Sequence, residues 1–151
     1  MRDLGFTGDP TMVETTSLEL FGSVPLFRGL EEQELKAIAG LSKEMTFRQG
    51  EAIVREGEAG LGFYVIIEGE AEVRRRNRTV AKLQRGSFFG ELALFDDQPR
   101  SADVIATEPT RCFVLLRWNF WSLVSKNKKV VRGLFKEMAR RLRATNDAMG
   151  N

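Results

Sequence analysis

The sequence predicts a mainly β fold with flanking helices: a jelly-roll β-barrel with an N-terminal helical bundle before it and a long C-terminal helix after it. Three observations carry that expectation. Between Met45 and Arg117, short segments rich in Phe, Val and Ile are separated by glycines at positions 50, 57, 60, 62, 69, 86 and 90, the cadence of many short strands. Ahead of them, apolar residues recur at helical spacing. Behind them, Lys129 to Met149 contains no proline and carries a repeating apolar seam. With 151 residues, 42% hydrophobic and 29% charged, the chain suffices for one domain with a real core.

Taken in order, residues 1–16 are polar and interrupted by glycine and proline, and read as a flexible leader. The folded domain is expected over 17–151, with the barrel at 45–117 and C-terminal helices at 118–150. Leu18, Leu20, Phe21, Val24, Leu26, Phe27 and Leu30 suggest short helical turns broken at Pro25; Leu35, Ile38, Ala39 and Leu41 continue the pattern after Glu31. Phe63 to Ile67 and Cys112 to Leu116 read as core strands. Ala71 to Arg75 and Thr79 to Leu83 alternate and read as a hairpin with one wet face, its tip formed by the basic run Arg74-Arg75-Arg76-Asn77-Arg78, a solvated turn. Trp118 and Trp121 open the next helix as packing anchors.

Composition excludes several function classes. There is no histidine and a single cysteine, Cys112, inside an apolar run, so zinc hydrolase, haem and iron–sulfur chemistry are disfavoured and no disulfide can form within one chain. A charge of +2 from 23 basic and 21 acidic side chains argues against a surface built for nucleic acid. No run approaches the ~18 apolar residues of a membrane helix, and the first residues lack the apolar stretch of a signal peptide. A cytoplasmic location and no membrane partner are expected.

The most informative stretch is Gly86 to Val104. In Phe88-Phe89-Gly90-Glu91-Leu92-Ala93-Leu94, a glycine permits a tight turn into a short helical segment, whose start suits an anion. Glu91 is an acceptor-only carboxylate there. It can receive a hydrogen bond from a sugar hydroxyl but would repel a phosphate. Nine residues later Pro99 fixes the backbone before Arg100, whose planar fork of donors matches phosphate oxygens, and Ser101 adds a hydroxyl beside it. A sugar joined to a phosphate fits both ends. An isolated Glu–Arg surface pair is the plainer alternative for Glu91 and Arg100.

Gly90-Glu91-Leu92-Ala93-Leu94 with Pro99-Arg100-Ser101-Ala102 resembles the phosphate-binding cassette of cyclic-nucleotide-binding domains, nearest the bacterial catabolite activator (cAMP receptor) branch. The resemblance implies that Gly90 and Glu91 hold the ribose 2′-hydroxyl and that Arg100 and Ser101 hold the cyclic phosphate, with Leu92, Ala93 and Ala102 completing the cassette. It also implies that Val73 and Ala81 point toward the base, and that Thr145, with Asn146 beside it and Arg141 on the same helix, faces the ligand. The ligand it implies is cAMP, with cGMP as the other candidate; no cofactor, metal or catalytic residue is called for.

Val131, Phe135, Met138, Leu142, Thr145 and Met149 are spaced four, three, four, three and four residues apart, a heptad seam. A homodimer through residues 129–149 is expected, with Leu134 and Ala139 packing the helix on its own barrel and Arg140, Arg141, Arg143 and Asp147 on the flanks. In catabolite activator relatives this helix leads into a helix-turn-helix domain, and none is found before Asn151. Two readings stay open: a receptor module that relays ligand binding through its last helix, or the effector-binding fragment of a transcription regulator. DNA binding by this chain alone is not expected.

Overall fold

The computed structural model describes residues 10–96 and 98–150. Four strands make one antiparallel sheet in the order β1 (Lys43–Phe47), β8 (Thr110–Leu116), β3 (Gly62–Glu68), β6 (Phe88–Phe89). A second antiparallel sheet follows the order β2 (Ala52–Val54), β7 (Asp103–Ala106), β4 (Ala71–Arg75), β5 (Arg78–Leu83). The two sheets form the expected jelly roll. Helices α1 (Pro10–Gly22) and α2 (Glu32–Ala39) precede it, with the 3-10 turn Pro25–Phe27 between them, and α3 (Arg117–Val124) and α4 (Lys128–Ala148) follow it.

β3 and β8 read as continuous apolar runs because both of their faces are covered. In alternation, Phe63, Val65 and Ile67 of β3 with Phe113 and Leu115 of β8 meet the helices, joining Phe21, Val24, Phe27, Phe120 and Val130 in one cluster. Ile66, Cys112 and Val114 face the other way and meet Phe47, Ile53, Ala71, Val104 and Ala106 between the sheets. The register that sets this alternation pairs Val65 with Phe113 and Tyr64 with Val114. In the helical layer Phe21 lies 6.1 Å from Phe27, 6.2 Å from Phe63 and 6.0 Å from Phe113, ring centroid to centroid. Cys112 is buried, and burial pushes its thiol up to about 12, so it behaves as a small hydrophobe.

Several expectations need correction. α1 begins at Pro10, inside the segment read as a leader; residues 1–9 of that segment lie outside the described residues. β5 is exposed along nearly its whole length, with Leu83 alone packing partly against the core between the sheets, because it is the edge of its sheet. Trp118 is exposed, and the fully buried anchor of α3 is Phe120, in edge contact with Phe95 at 5.5 Å; the half-exposed Trp121 packs edge-on against both rings, 6.1 Å from Phe95 and 5.9 Å from Phe120. Ala139 is exposed. The face of α4 that packs on its own domain is Val130, Gly133, Leu134 and Glu137. A β-carbon on Gly133 would stand 2.5 Å from Leu30 Cδ2 and 3.2 Å from the Gly29 carbonyl, so a larger residue here would force the buried Leu30 side chain to move.

Candidate functional site

The cassette sits where the sheets part. β6 pairs briefly with β3 at Tyr64↔Phe89 and Val65↔Phe88, and then Gly90 turns the chain with φ +81° into the 3-10 helix Glu91–Leu94. Gly90 is required twice over: its backbone is left-handed, and a β-carbon there would overlap Arg100 Nη1 and stand 2.9 Å from the Gly62 carbonyl. The returning segment is held by a bridge between Ala59 and Pro99 and by the Arg100 N–H donating to the Glu58 carbonyl at 2.9 Å. Turn and return enclose a cavity of about 510 Å³, in the range of small-molecule sites.

Gly90, Glu91, Leu92, Ala93, Arg100, Ser101, Ala102 and Val73 all line that cavity. Ala93 is buried, and its N–H is used inside the turn, donating to the Gly90 carbonyl at 3.0 Å; Leu92 is exposed at the rim. Ala81 stands opposite Val73 in the β4–β5 ladder, but it is exposed and lies outside the cavity wall, on the uncovered edge strand.

Arg100 is held by groups that lie outside the cassette. Its Nη2 donates to the Gly62 carbonyl at 2.5 Å, and the guanidinium carbon lies 5.8 Å from the centre of the Tyr64 ring. Tyr64 stacks in turn on Phe89, 4.9 Å apart and 3° from parallel. Burial lowers the Arg100 pKa from its ordinary value, and burial raises that of Tyr64. Sequence reasoning did not single out Gly62 and Tyr64 as partners of Arg100. Their only trace in the chain is a glycine opening a strand with a tyrosine two residues later.

Two buried polar atoms at this cavity have no hydrogen-bond partner: Glu91 Oε2 and Arg100 Nε. One is an acceptor and the other a donor. Leaving such groups dry and unpaired costs on the order of 1–3 kcal/mol each.

The ion partner of Glu91 is Arg141 of α4, with Nη1 3.6 Å from Oε1. Arg141 Nε also lies 3.6 Å from Glu137 Oε1, and Glu137 takes a bidentate bond from Arg140. That bond from Arg140 holds the Glu137 carboxyl below the usual range. Arg141 is thus brought to the cassette. Thr145 and Asn146 are not: both are exposed, and the Thr145 hydroxyl donates back to the Arg141 carbonyl at 3.1 Å. Beyond Arg141 every described residue of the helix is exposed.

A family model described as the cyclic nucleotide-binding domain matches residues 44–127, which contain the whole cassette. The chain belongs to this family. Among curated relatives of this cyclic nucleotide-binding domain, a cGMP-dependent protein kinase of Eimeria tenella is 43% identical over 62% of this chain and 9% of its own length. A cyclic AMP receptor protein of Thermus thermophilus is 32% identical over 79% of this chain and 57% of its own. The chain therefore spans less than two thirds of these relatives. The N-terminal domain of a transcriptional regulator from Streptomyces coelicolor superposes with a TM-score of 0.80 at 29% identity, covering 85% of this chain and 96% of that one.

Proposed function

We propose that the chain is a non-catalytic receptor module for a cyclic nucleotide, with cAMP the favoured ligand and cGMP the other candidate. The observation that carries this reading is one cavity lined by both Glu91 and Arg100, each with a polar atom, Oε2 and Nε, that has no hydrogen-bond partner. A 2′-hydroxyl donates to the first, and a phosphate oxygen accepts from the second. Ser101, exposed beside Arg100, adds a hydroxyl on the phosphate side. Val73 lines the wall toward the base.

Ligand binding is relayed through α4. Arg141 joins that helix to Glu91, so a ligand that engages Glu91 acts on a carboxylate the helix already holds, and binding shifts the population of helix positions. Thr145 and Asn146 would reach the base only by a movement of α4 or from a second copy of the chain. The exposed stripe Phe135, Leu142 and Met149 supports a homodimer through residues 129–149. No described helix is long and apolar enough to cross a membrane, and we place the module in the cytoplasm.

The second reading, an effector-binding part of a DNA-binding regulator, is favoured by the likeness to the Streptomyces coelicolor regulator domain. Both readings share the same site. Calorimetry with cAMP and cGMP on the parent chain and on Arg100→Ala tests it: saturable binding by the parent, weakened about tenfold to a hundredfold in the variant, is expected for one charge-assisted bond of ~1.5–3 kcal/mol. No binding of either nucleotide by the parent, or equal binding by both proteins, would overturn it.

A further inference from the structure

The described wall of the cavity carries two carboxylates, Glu91 and Asp96, against one guanidinium, Arg100. Arg141, outside the wall, offsets Glu91. The sum is then close to zero, which gives an anionic ligand no attraction from a distance. Positive charge does stand nearby, on the β4–β5 hairpin.

That hairpin carries Arg74, Arg75, Arg76 and Arg78 around Asn77. Arg74 is engaged by Glu72, with Nη2 at 2.9 Å and Nε at 3.1 Å from Oε2. Arg75 has a different partner. Its Nε donates to the backbone carbonyl of Ser101 at 3.3 Å, next to Arg100. The sheet register explains the reach: Arg74 pairs with Asp103 across β4 and β7, so the next residue on β4 runs out over the end of the cassette. Arg78 is opposite Arg75 in the ladder, and all three of Arg75, Arg76 and Arg78 are exposed.

The turn itself favours charge over conformational ease. Arg76 and Asn77 have φ of 54° and 63°, left-handed positions that a two-residue hairpin fills best with Asn or Gly. Asn77 obeys that preference. Arg76 does not, at a cost on the order of 1–2 kcal/mol.

We infer that Arg75, Arg76 and Arg78 form a basic rim that steers an anionic nucleotide to the cassette, with Arg75 fixing the rim in place through Ser101. This rests on the cyclic-nucleotide reading of the site and goes beyond it by assigning the capture step to residues outside the cavity wall. A cleft close to neutral gains rate from adjacent charge, and steering raises on-rates by roughly 10–10³ at low ionic strength. Once bound, the ligand is held by the cassette, so the dissociation rate is independent of the rim.

The test is stopped-flow binding of a fluorescent cAMP analogue to the parent, to Arg75→Gln, to Arg76→Asn and to the triple variant Arg75→Gln, Arg76→Asn, Arg78→Gln. At about 10 mM ionic strength, where the Debye length is ~30 Å, the triple variant is expected to associate about tenfold more slowly with koff unchanged. At about 1 M, where that length is ~3 Å, its on-rate rejoins the parent's. Arg75→Lys keeps the charge and keeps the rate. Arg76→Asn relieves the turn, so its melting temperature holds or rises while its on-rate falls, which separates steering from misfolding. Parent-like association at low salt, or a loss that persists at 1 M, overturns the rim. A parent that binds no cyclic nucleotide removes the proposed function and the rim with it, whereas a parent that binds while the triple variant matches it removes the rim alone.

Discussion

Arg141 Nη1 stands 3.6 Å from Glu91 Oε1, so a residue of the last helix touches the carboxylate assigned to the ribose. The same guanidinium reaches Glu137 on its own helix at 3.6 Å. One side chain therefore spans the cassette and the buried face of α4. A part-exposed pair of this length contributes only ~0.2–1 kcal/mol, so its effect is on where the helix sits more than on whether the domain folds.

Arg141→Ala is accordingly expected to change overall stability by less than ~1 kcal/mol while loosening the helix locally. Hydrogen exchange should show faster exchange after Glu137 in α4, with β3 and β8 unaffected. In the parent, cyclic nucleotide should alter exchange in that segment; in the variant the ligand effect should shrink. Identical exchange patterns in the two proteins would remove Arg141 from the relay.

Gly90 gives a sharper test, because its conformation and its contacts can be separated by a control. Gly90 (φ +81°) and Gly50 (φ +85°) are both left-handed, yet nothing lies within 4 Å of a β-carbon at Gly50, whereas one at Gly90 would overlap Arg100 Nη1. Both Gly→Ala changes should cost ~1–2 kcal/mol of stability. Only Gly90→Ala should also weaken nucleotide binding, by displacing the guanidinium. Parallel thermal melts and calorimetry check this, and a binding loss shared by Gly50→Ala would mean that the cassette geometry is not what matters.

The cassette was legible in the sequence because its parts are local: a glycine before an apolar turn, a carboxylate within it, and Pro99 setting the backbone ahead of Arg100. The core strands were legible for the same reason, since runs such as Phe63 to Ile67 reflect burial on both faces. What holds Arg100 was not legible. Tyr64 and the Gly62 carbonyl come from a strand nearly forty residues earlier and meet it only through the β3–β6 pairing. The pattern assigned Leu134 to the face that packs on the domain, and Leu134 is buried. It put Ala139 there as well and Met138 in the seam, whereas Ala139 is exposed and Met138 packs against the core. Nor did it show that Phe120 would be the fully buried anchor of α3. α1 was missed over Pro10 to Thr16, where polar composition outweighed any helical signal.

Glu137 connects the helix to acid stability. It is a carboxylate at 3% exposure, held by Arg140 at 2.6 Å, and that bond keeps its pKa below the ordinary 4.5. A group whose folded pKa is depressed stabilises the protein above its unfolded value and loses that contribution as pH falls through the folded one. Glu137→Gln should therefore melt at a lower temperature than the parent near pH 7, and the gap should close below about pH 4.5. A gap of constant size from neutral pH down to about pH 2.5 would show that the loss is one of packing alone.

The remaining prediction concerns the stripe Phe135, Leu142 and Met149, each seven residues from the next and exposed at 66%, 62% and 69%. Residues of this kind repeated on one helix face stay mostly exposed within a single chain, while Val130 and Leu134 on another face already dock α4 on its domain. A second copy meeting the stripe would bury three large apolar side chains at heptad spacing. Leu142→Asp places a charge at the centre of that contact, where desolvation without a partner is costly. Because Leu142 is exposed in the single chain, the substitution leaves the domain's own core untouched, and the monomer should fold with an unchanged far-ultraviolet spectrum. Light scattering at tens of micromolar should then give a dimer for the parent and a monomer for Leu142→Asp. A parent that scatters as a monomer with and without cyclic nucleotide would remove the paired-helix arrangement, and with it the route by which Thr145 of a second copy could approach the base.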